Sequence, residues 1–125
     1  MEKPLNSRLE TGKAAEAAAE QHLMAKGYRL VCRNYRCRRG EIDLVMTKGD
    51  QLAFIEVRCR NRGDFGGALQ SVTTGKQRKI IATARYFLLN HPRFAHYAIR
   101  FDVIAARYHQ EAWSLDWIPA AFLAE

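Results

Sequence analysis

The stretch that decides the fold of this chain reads Gly40-Glu41-Ile42-Asp43-Leu44-Val45-Met46-Thr47-Lys48-Gly49-Asp50-Gln51-Leu52-Ala53-Phe54-Ile55-Glu56-Val57-Arg58. Two runs rich in β-forming residues flank Gly49-Asp50, and a two-residue loop that begins with glycine is typical of a β-hairpin. This loop sets a register in which Asp43 lies opposite Glu56 and Glu41 lies opposite Arg58. Because side chains alternate between the faces of a strand, all four charged side chains are expected on one face.

The rest of the hairpin is apolar on both faces, which is typical of strands inside a layered α/β domain. The charges are therefore gathered at one end of an otherwise buried hairpin, and ligands commonly bind at such an end of a sheet. The charged face also carries Val45, Leu52 and Phe54, and the opposite face carries Ile42, Leu44, Met46, Ala53, Ile55 and Val57.

Asp43 and Glu56 form a candidate metal site. Two carboxylates in a directly opposed pair, with Cα atoms about 4.5–5.5 Å apart, repel each other unless a cation lies between them. Mg²⁺ and Mn²⁺ prefer oxygen ligands and often bind one or two carboxylates together with water and substrate phosphate. The backbone carbonyl of Val57 offers a further ligand. The alternative is a solvated cluster in which Glu41 and Arg58 form an ordinary cross-strand ion pair.

Arg58 is expected on the same face as Glu56, two residues further along the strand. Its guanidinium is permanently charged, so it can stabilise a negatively charged transition state but cannot act as a general base. The predicted base is therefore Glu41 or a water molecule activated by the cation. These roles together indicate hydrolysis of a phosphodiester.

The length and charge of the chain limit what it can be. A chain of 125 residues is expected to form a single domain over 1–125. Its net charge of +7 and isoelectric point near 9.7 favour a polyanionic partner.

No apolar run approaches the ~20 residues of a membrane span, and the start lacks a signal-peptide core, so we expect a cytoplasmic protein. Three cysteines and four histidines show neither a disulfide framework nor zinc-ligand spacing.

Basic residues are concentrated on both sides of the hairpin, with Tyr28 and Tyr35 among them. Clustered arginines with aromatic residues are typical of surfaces that bind nucleic-acid backbones. A solvated basic surface is the alternative, and the acidic site beside it makes that alternative weaker. The predicted nucleic-acid-binding residues are Arg33, Arg36, Arg38, Arg39, Arg60, Arg62 and Lys76.

Helices and further strands are predicted around the hairpin. Two capping boxes, Ser7-Arg8-Leu9-Glu10 and Thr74-Gly75-Lys76-Gln77, predict helix starts with Ser7 and Thr74 as N-caps. The α-β-β-β-α-β order predicts an α/β domain with a mixed β-sheet flanked by helices. The predicted elements are helices over 7–26 and 74–90, strands over 28–33 and 97–106, the hairpin, a polar loop over 61–67, and a tail over 113–123 that covers the sheet or contacts a second subunit.

Several short motifs carry a family resemblance. They are Gly12-x-x-x-Glu16-Ala17 with Leu23, Gly27-Tyr28, Asn34-Tyr35, Gly40-Glu41-Ile42-Asp43-Leu44, Phe54-Ile55-Glu56-Val57-Arg58-x-Arg60, Ser71-Val72 with Lys76, and Arg100-Phe101-Asp102-Val103. On these motifs the chain resembles the PD-(D/E)XK nuclease superfamily and, more closely, the YraN-type (UPF0102) family of small bacterial proteins. The predicted fold of that family is similar to archaeal Holliday junction resolvases, so the resemblance implies a restriction-endonuclease-like fold.

The resemblance also implies roles for individual residues. Asp43 and Glu56 match the metal-binding acids of the superfamily, and Arg58 stands in the place of its lysine. Glu16 matches a helical acid that often completes such sites, and Gln70 matches a helper polar residue. From the residues alone, simpler alternatives stay open: solvated helix positions for Glu16 and Glu20, surface positions for Gln70 and Lys76, and a structural role for Asp102.

The expected function is that of a Mg²⁺- or Mn²⁺-dependent, endonuclease-like protein that binds structured or branched DNA, with RNA not excluded as substrate. A homodimer is expected, because two sites are needed to cut two strands symmetrically. The replacement of lysine by Arg58 motivates the main alternative, a non-catalytic nucleic-acid-binding module on a nuclease fold. A scaffold protein that uses the 113–123 tail is the third alternative.

Overall fold

The hairpin lies at the centre of a five-stranded sheet in the computed structural model, which describes residues 8–60 and 67–124. The strands follow the chain order β1-β2-β3-β4-β5, and neighbours are antiparallel except for the parallel pair β3 and β4. The elements are α1 (Arg8–Met24), β1 (Arg29–Cys37), β2 (Gly40–Lys48), β3 (Gln51–Arg60), α2 (Ala68–Ser71), α3 (Thr74–Asn90), a 3₁₀ turn (Pro92–Phe94), β4 (Ala98–His109) and β5 (Ala112–Phe122).

Two apolar clusters fix a helix to each face of the sheet, because the hairpin is apolar on both sides. On one face, α1 buries Ala19 and Leu23 against Leu44, Met46 and Ile55. On the other face, α3 packs on a second cluster, which includes Ile80, Ala84 and Phe87 of the helix with Val45, Phe54, Phe101 and Val103 of the sheet. The predicted mixed sheet flanked by helices is therefore confirmed, and the arrangement is consistent with a restriction-endonuclease-like fold.

The hairpin register is also confirmed over its inner part. Cα partners run from Lys48–Gln51 at the turn to Leu44–Ile55, as the two-residue loop predicts. Gly49 has φ 57°, a left-handed conformation that glycine adopts without the steric cost that other residues pay.

Several predicted boundaries differ from those observed. The N-cap of α3 is Thr73 rather than Thr74, because the Thr73 side chain accepts a hydrogen bond from the Lys76 N–H at 3.3 Å. Gln77 therefore reaches back to the Val72 carbonyl, at 3.0 Å, instead of completing a capping box. The Ser7 capping box and most of the polar loop over 61–67 lie outside the described residues.

The C-terminal tail is a strand. Its residues form β5, which pairs with β4 along the edge of the sheet instead of lying across it. All three cysteines are free thiols, as the sequence indicates. Within the described ranges, no helix is both long and apolar enough to cross a lipid bilayer.

Candidate functional site

Asp43 lies where the regular pairing of β2 is interrupted. The β1–β2 ladder has no pair at Asn34 opposite Asp43, and the β2–β3 ladder ends at Leu44–Ile55. At that point the Asp43 side chain replaces a backbone partner, because its Oδ2 accepts a hydrogen bond from the Val57 N–H at 2.8 Å. Asp43 is thus joined to β3 through its side chain, whereas its main chain lies outside the backbone pairing with β3.

The same interruption places the side chain of Ile42, the residue before Asp43, on the opposite face of the sheet from that of Leu44. Ile42 and Val45 both pack on the α3 side, whereas Leu44 lies in the cluster beneath α1. In a regular strand Ile42 and Leu44 would share a face. The prediction that they do is wrong, because the chain loses its alternation where Asp43 leaves the ladder.

The carboxyls of Asp43 and Glu56 nevertheless meet. Burial raises the pKa of Asp43 to about 8, and a hydrogen bond with Glu56 together with the Glu56 charge adds to the shift. The hydrogen bond from the Val57 N–H acts in the opposite direction. Near neutral pH Asp43 therefore keeps its proton when no cation is bound, and a cation bound there would take over the role of that proton.

This donor set fits Mg²⁺ or Mn²⁺, which bind one or two carboxylates and complete their coordination with water and phosphate oxygens. Asp43 and Glu56 would provide the carboxylates. Across residues 8–60 and 67–124, no group of three or more His, Cys, Asp or Glu side chains is placed to share one ion. Val57 meets the site through its N–H, and a ligand role for its carbonyl stays a prediction.

Arg58 is held above the Glu56 carboxylate. Its Nη1 lies 4.0 Å from Glu56 Oε2, and its Nε donates to Ser71 Oγ at 3.1 Å. The Arg58 side chain is 28% exposed, so its remaining donors can reach a bound anion. Ser71, at the end of α2, is a positioning residue that appears in the sequence motifs but received no predicted role.

Glu16 and Glu41 are joined by a residue that carried no predicted role. Asn34 Nδ2 donates to Glu16 Oε1 at 2.9 Å and lies 3.4 Å from Glu41 Oε1. Burial raises the pKa of Glu16, the Asn34 hydrogen bond opposes that shift, and the charges of Asp43 and Glu41 add to it. Glu16 of α1 thus lies near Asp43, and Asn34 links it to Glu41 of β2.

Asn34 adopts a left-handed backbone conformation, with φ 49°, inside β1. Asparagine tolerates this region better than most residues other than glycine. The sequence signal for this left-handed conformation was the asparagine itself, which directly follows the predicted strand over 28–33 and belongs to the Asn34-Tyr35 motif.

Glu41 is not opposite Arg58. Its Cα partner is Arg36 of β1, and its Oε1 lies 3.2 Å from the Arg36 Nε in an exposed ion pair. The predicted pairing fails because the β2–β3 ladder ends three residues earlier, at Leu44.

The other predicted residues are spread around this site. Arg33 is engaged by Glu20 in a two-pronged ion pair, at 2.6 and 2.9 Å, which makes Glu20 a buried structural residue rather than a solvated one. Lys76 Nζ lies 3.4 Å from the Ser71 carbonyl, beside Arg58. Gln70 is exposed on α2, and Arg60 donates to the Cys59 carbonyl. The β1–β2 turn carries three exposed arginines, Arg36, Arg38 and Arg39. Arg62 lies outside the described residues.

Comparison with known proteins places this architecture in a family. The model of the uncharacterised protein family UPF0102 matches residues 15–106, a range that includes Asn34, Asp43, Glu56 and Arg58. A UPF0102 protein of Pseudomonas fluorescens is 45% identical over 119 residues, which cover 95% of this chain and 98% of the relative. UPF0102 proteins of Ectopseudomonas mendocina and Stutzerimonas stutzeri are 46% and 49% identical, over 94% and 90% of this chain and 98% and 93% of each relative.

Proposed function

We propose that this chain, which belongs to the uncharacterised protein family UPF0102, is a nucleic-acid-binding, Mg²⁺- or Mn²⁺-dependent endonuclease-like protein that acts on structured or branched DNA. The observation that carries the proposal is the contact of the half-buried Asp43 and Glu56 carboxyls beside Arg58. Two carboxyls in contact repel each other once both are ionised, so a bound cation stabilises the pair. The net charge of +7 attracts a polyanion to the protein.

Each side chain has a role in this proposal. Asp43 and Glu56 hold the cation, which when bound acts as a Lewis acid on the phosphodiester. Arg58, oriented by Ser71, donates to the phosphate oxygens as negative charge develops on them. Glu41 is the exposed carboxylate nearest to the pair along β2, and it accepts the proton of the attacking nucleophile.

The decisive experiment is cleavage of labelled four-way-junction, flap and linear DNA in Mn²⁺ or Mg²⁺. We expect wild type to cut the branched DNA in preference to linear DNA, and Asp43→Ala to lose the activity. Asp116→Ala is the matched control, because it removes a carboxylate from an exposed position of β5. Cleavage that is equal in wild type and Asp43→Ala would assign the activity to a contaminant or to another site.

The alternative function is a non-catalytic nucleic-acid-binding module, and the arginine at position 58 is the observation that favours it. Such a module would bind DNA without metal uptake or cleavage. Its DNA affinity would fall by about 10³–10⁵ between 50 and 200 mM salt if six to ten basic groups contact phosphates. Isothermal titration with Mn²⁺ separates the two functions, because heat that disappears in Asp43→Ala supports the nuclease.

Arg58→Ala is expected to lower the cleavage rate by about 10²–10³, the usual loss when one donor to a developing oxyanion is removed. Mn²⁺ affinity should change little, because Arg58 faces the carboxylate pair without being a metal ligand. The measurement is single-turnover cleavage at saturating enzyme, paired with Mn²⁺ titration. A loss of metal binding equal to the loss of rate would show that Arg58 organises the acids rather than the phosphate.

Asn34→Gly is expected to weaken Mn²⁺ binding by about 10-fold, because residues that orient metal-binding groups typically contribute 10–100-fold. Glycine keeps the left-handed conformation of position 34 and removes only the amide that bridges Glu16 and Glu41. Asn34→Ala loses the same amide and also carries a backbone cost of about 1–2 kcal/mol. We therefore expect the two variants to have equal Mn²⁺ affinity and Asn34→Ala to have the lower melting temperature. Wild-type Mn²⁺ affinity in both variants would show that Asn34 has no role in metal binding.

A further inference from the structure

A basic groove lies between the end of the β1–β2 hairpin and α3, away from the carboxyl pair. Its volume is about 420 Å³, and it is lined by Arg36, Cys37, Arg38, Arg39 and Tyr86. That volume lies in the range of sites that hold small ligands. Four of the five lining residues are consecutive in the sequence, whereas Tyr86 comes from the helix, so the fold itself creates the groove.

The lining has the chemistry of a nucleotide site. Guanidinium groups match phosphate oxygens with two parallel hydrogen bonds, and an exposed aromatic ring is a platform on which a base stacks. Tyr86 is 48% exposed. Within the described part of the chain, Arg38 and Arg39 have no acidic partner, whereas Arg36 is paired with Glu41. Two free guanidiniums thus lie beside an open ring.

The groove borders the start of β2, the strand that also carries Asp43. A Cβ built on Gly40 would lie 3.1 Å from Thr83 Oγ1 and 3.6 Å from Lys79 Cβ, so the start of β2 is in close contact with α3. Asp43 follows Gly40 by three residues, or about 10 Å along the strand. That distance equals roughly three steps of the 3.4 Å rise of stacked bases in a duplex, and an unstacked strand covers it in fewer nucleotides. A strand bound at the carboxyl pair can therefore reach the groove a few nucleotides away.

We infer that this groove binds an unpaired nucleotide of the nucleic acid, with its base stacked on Tyr86 and its phosphates on Arg38 and Arg39. The inference rests on the proposed function and narrows its substrate to DNA that has a single-stranded segment next to the reacting phosphate. Flaps, gaps and open junctions have such a segment, whereas a blunt duplex keeps its bases stacked inside the helix. The groove thus provides a structural reason for a preference for branched DNA.

The test compares the affinity of single-stranded oligothymidine with that of a blunt duplex of equal length, by fluorescence anisotropy without divalent metal. Tyr86→Leu keeps an apolar side chain but removes the ring, and it should weaken oligothymidine binding by about 5- to 100-fold while duplex binding changes less than about two-fold. Tyr86→Phe should retain wild-type affinity. The control is Leu89→Ala, which alters a residue that is 81% exposed on the same helix and outside the groove.

The arginines are tested in the same way. The double variant Arg38→Gln/Arg39→Gln should weaken oligothymidine binding and reduce its salt dependence, because fewer counterions are displaced. Arg38→Gln and Arg39→Gln are also made singly, and Arg85→Gln is their matched control, since Arg85 precedes Tyr86 but lines a different, apolar groove with Leu88 and Phe94. Equal losses in all three single variants would show a general charge effect and would overturn the inference.

Cys37 reports on the groove in the wild-type protein. Burial works against ionisation of its thiol, but the Arg39 N–H, the Thr83 side chain, the Gly40 N–H and the Arg39 charge outweigh burial and lower the pKa. Burial raises the pKa of Cys32 and Cys59, so Cys37 is the thiol expected to react first with iodoacetamide. Bound oligothymidine should protect it, as measured by peptide mass spectrometry, and protection by duplex alone would contradict the inference.

The outcomes separate this inference from the proposed function. If wild type binds no nucleic acid at low salt, the inference and the proposed function both fail. If Asp43→Ala abolishes cleavage but Tyr86→Leu leaves oligothymidine binding unchanged, the nuclease stands and the groove has no role in substrate binding. If Tyr86→Leu weakens single-strand and duplex binding equally, the ring contacts the backbone and the unpaired-nucleotide site is refuted.

Discussion

Asp43→Asn is expected to make the metal-free protein more stable at neutral and mildly basic pH. Burial and the neighbouring Glu56 raise the pKa of Asp43 from 3.8 to about 8. Between these values the folded protein keeps a proton that the unfolded chain has released, so the wild type loses stability as pH rises through this window. Asparagine keeps an oxygen that accepts from the Val57 N–H and offers Glu56 an NH₂ donor in place of the Asp43 proton.

The measurement is urea unfolding of wild type and Asp43→Asn in EDTA, from mildly acidic to mildly basic pH. The difference in unfolding free energy should grow with pH, by at most about 1.4 kcal/mol per pH unit, and reach roughly 1–3 kcal/mol. Asp116→Asn is the control, because it removes the same charge from an exposed position and should follow the wild-type profile. A variant that is less stable than wild type at every pH would show that the Asp43 carboxylate is stabilising without metal.

Added Mn²⁺ should offset most or all of the stability advantage of Asp43→Asn. A ligand that binds only the folded state stabilises it by about 2.7 kcal/mol at a concentration 100 times its dissociation constant. Wild type should gain stability in this way, whereas Asp43→Asn should gain little. Equal gains in the two proteins would place the metal elsewhere in the chain.

The sequence was sufficient for the parts of the site that depend on local rules. The Gly49-Asp50 loop determines the register of β2 and β3 as far as Leu44–Ile55, because a two-residue turn is compatible with only one register of the strands that it joins. The two apolar faces of the hairpin likewise predicted a layered α/β domain, and the structure has a helix on each face of the sheet. These inferences need only the spacing of residues within about twenty positions of one another.

The parts that were missed depend on where the regular ladder stops. Asp43 leaves the ladder because its side chain bonds to the Val57 N–H, and a pattern of alternating residues contains no information about such a bond. The consequences are the changed face of Ile42 and the pairing of Glu41 with Arg36 instead of Arg58. The role of Asn34 was also missed: the asparagine is a sequence signal for a left-handed backbone, but its contacts with Glu16 and Glu41 depend on the three-dimensional arrangement of α1, β1 and β2.

The last strand was missed because its pairing is irregular and because Pro119 weakens a strand prediction. The β4–β5 register shifts between Phe101 and Val103, and Ala120 has φ 51°. The carboxylate of Asp102 holds this irregular segment, because its Oδ1 accepts from the Ala120 N–H at 3.0 Å. The alternative that Asp102 is an ordinary buried acid is thus the one that the structure supports.

Asp102→Ala is expected to destabilise the protein by about 3–5 kcal/mol, the usual cost of breaking a buried ion pair by removing one partner. Asp102 is 1% exposed and also accepts hydrogen bonds from Arg100 Nε and Nη2, each at 2.8 Å, and from Trp117 Nε1 at 3.0 Å. The Asp102 hydrogen bond raises the pKa of Arg100, so the guanidinium stays charged. Removal of the carboxylate would leave that charge beside Tyr28 and Trp117 with its anionic partner gone.

Thermal unfolding measures this loss, and near-UV circular dichroism in the tryptophan region shows whether β5 has detached, because Trp113 and Trp117 both lie on that strand. A melting temperature lowered by about 10–20 °C is expected, with a reduced tryptophan signal before the main transition. Asp116→Ala, on the same strand but exposed, should stay within about 0.5 kcal/mol of wild type. Arg100→Met in the Asp102→Ala background should recover part of the stability, because it removes the unpaired charge while the Trp117 and Ala120 donors remain without their acceptor. Full additivity of the two substitutions would instead mean that the ion pair contributes nothing beyond its separate side chains.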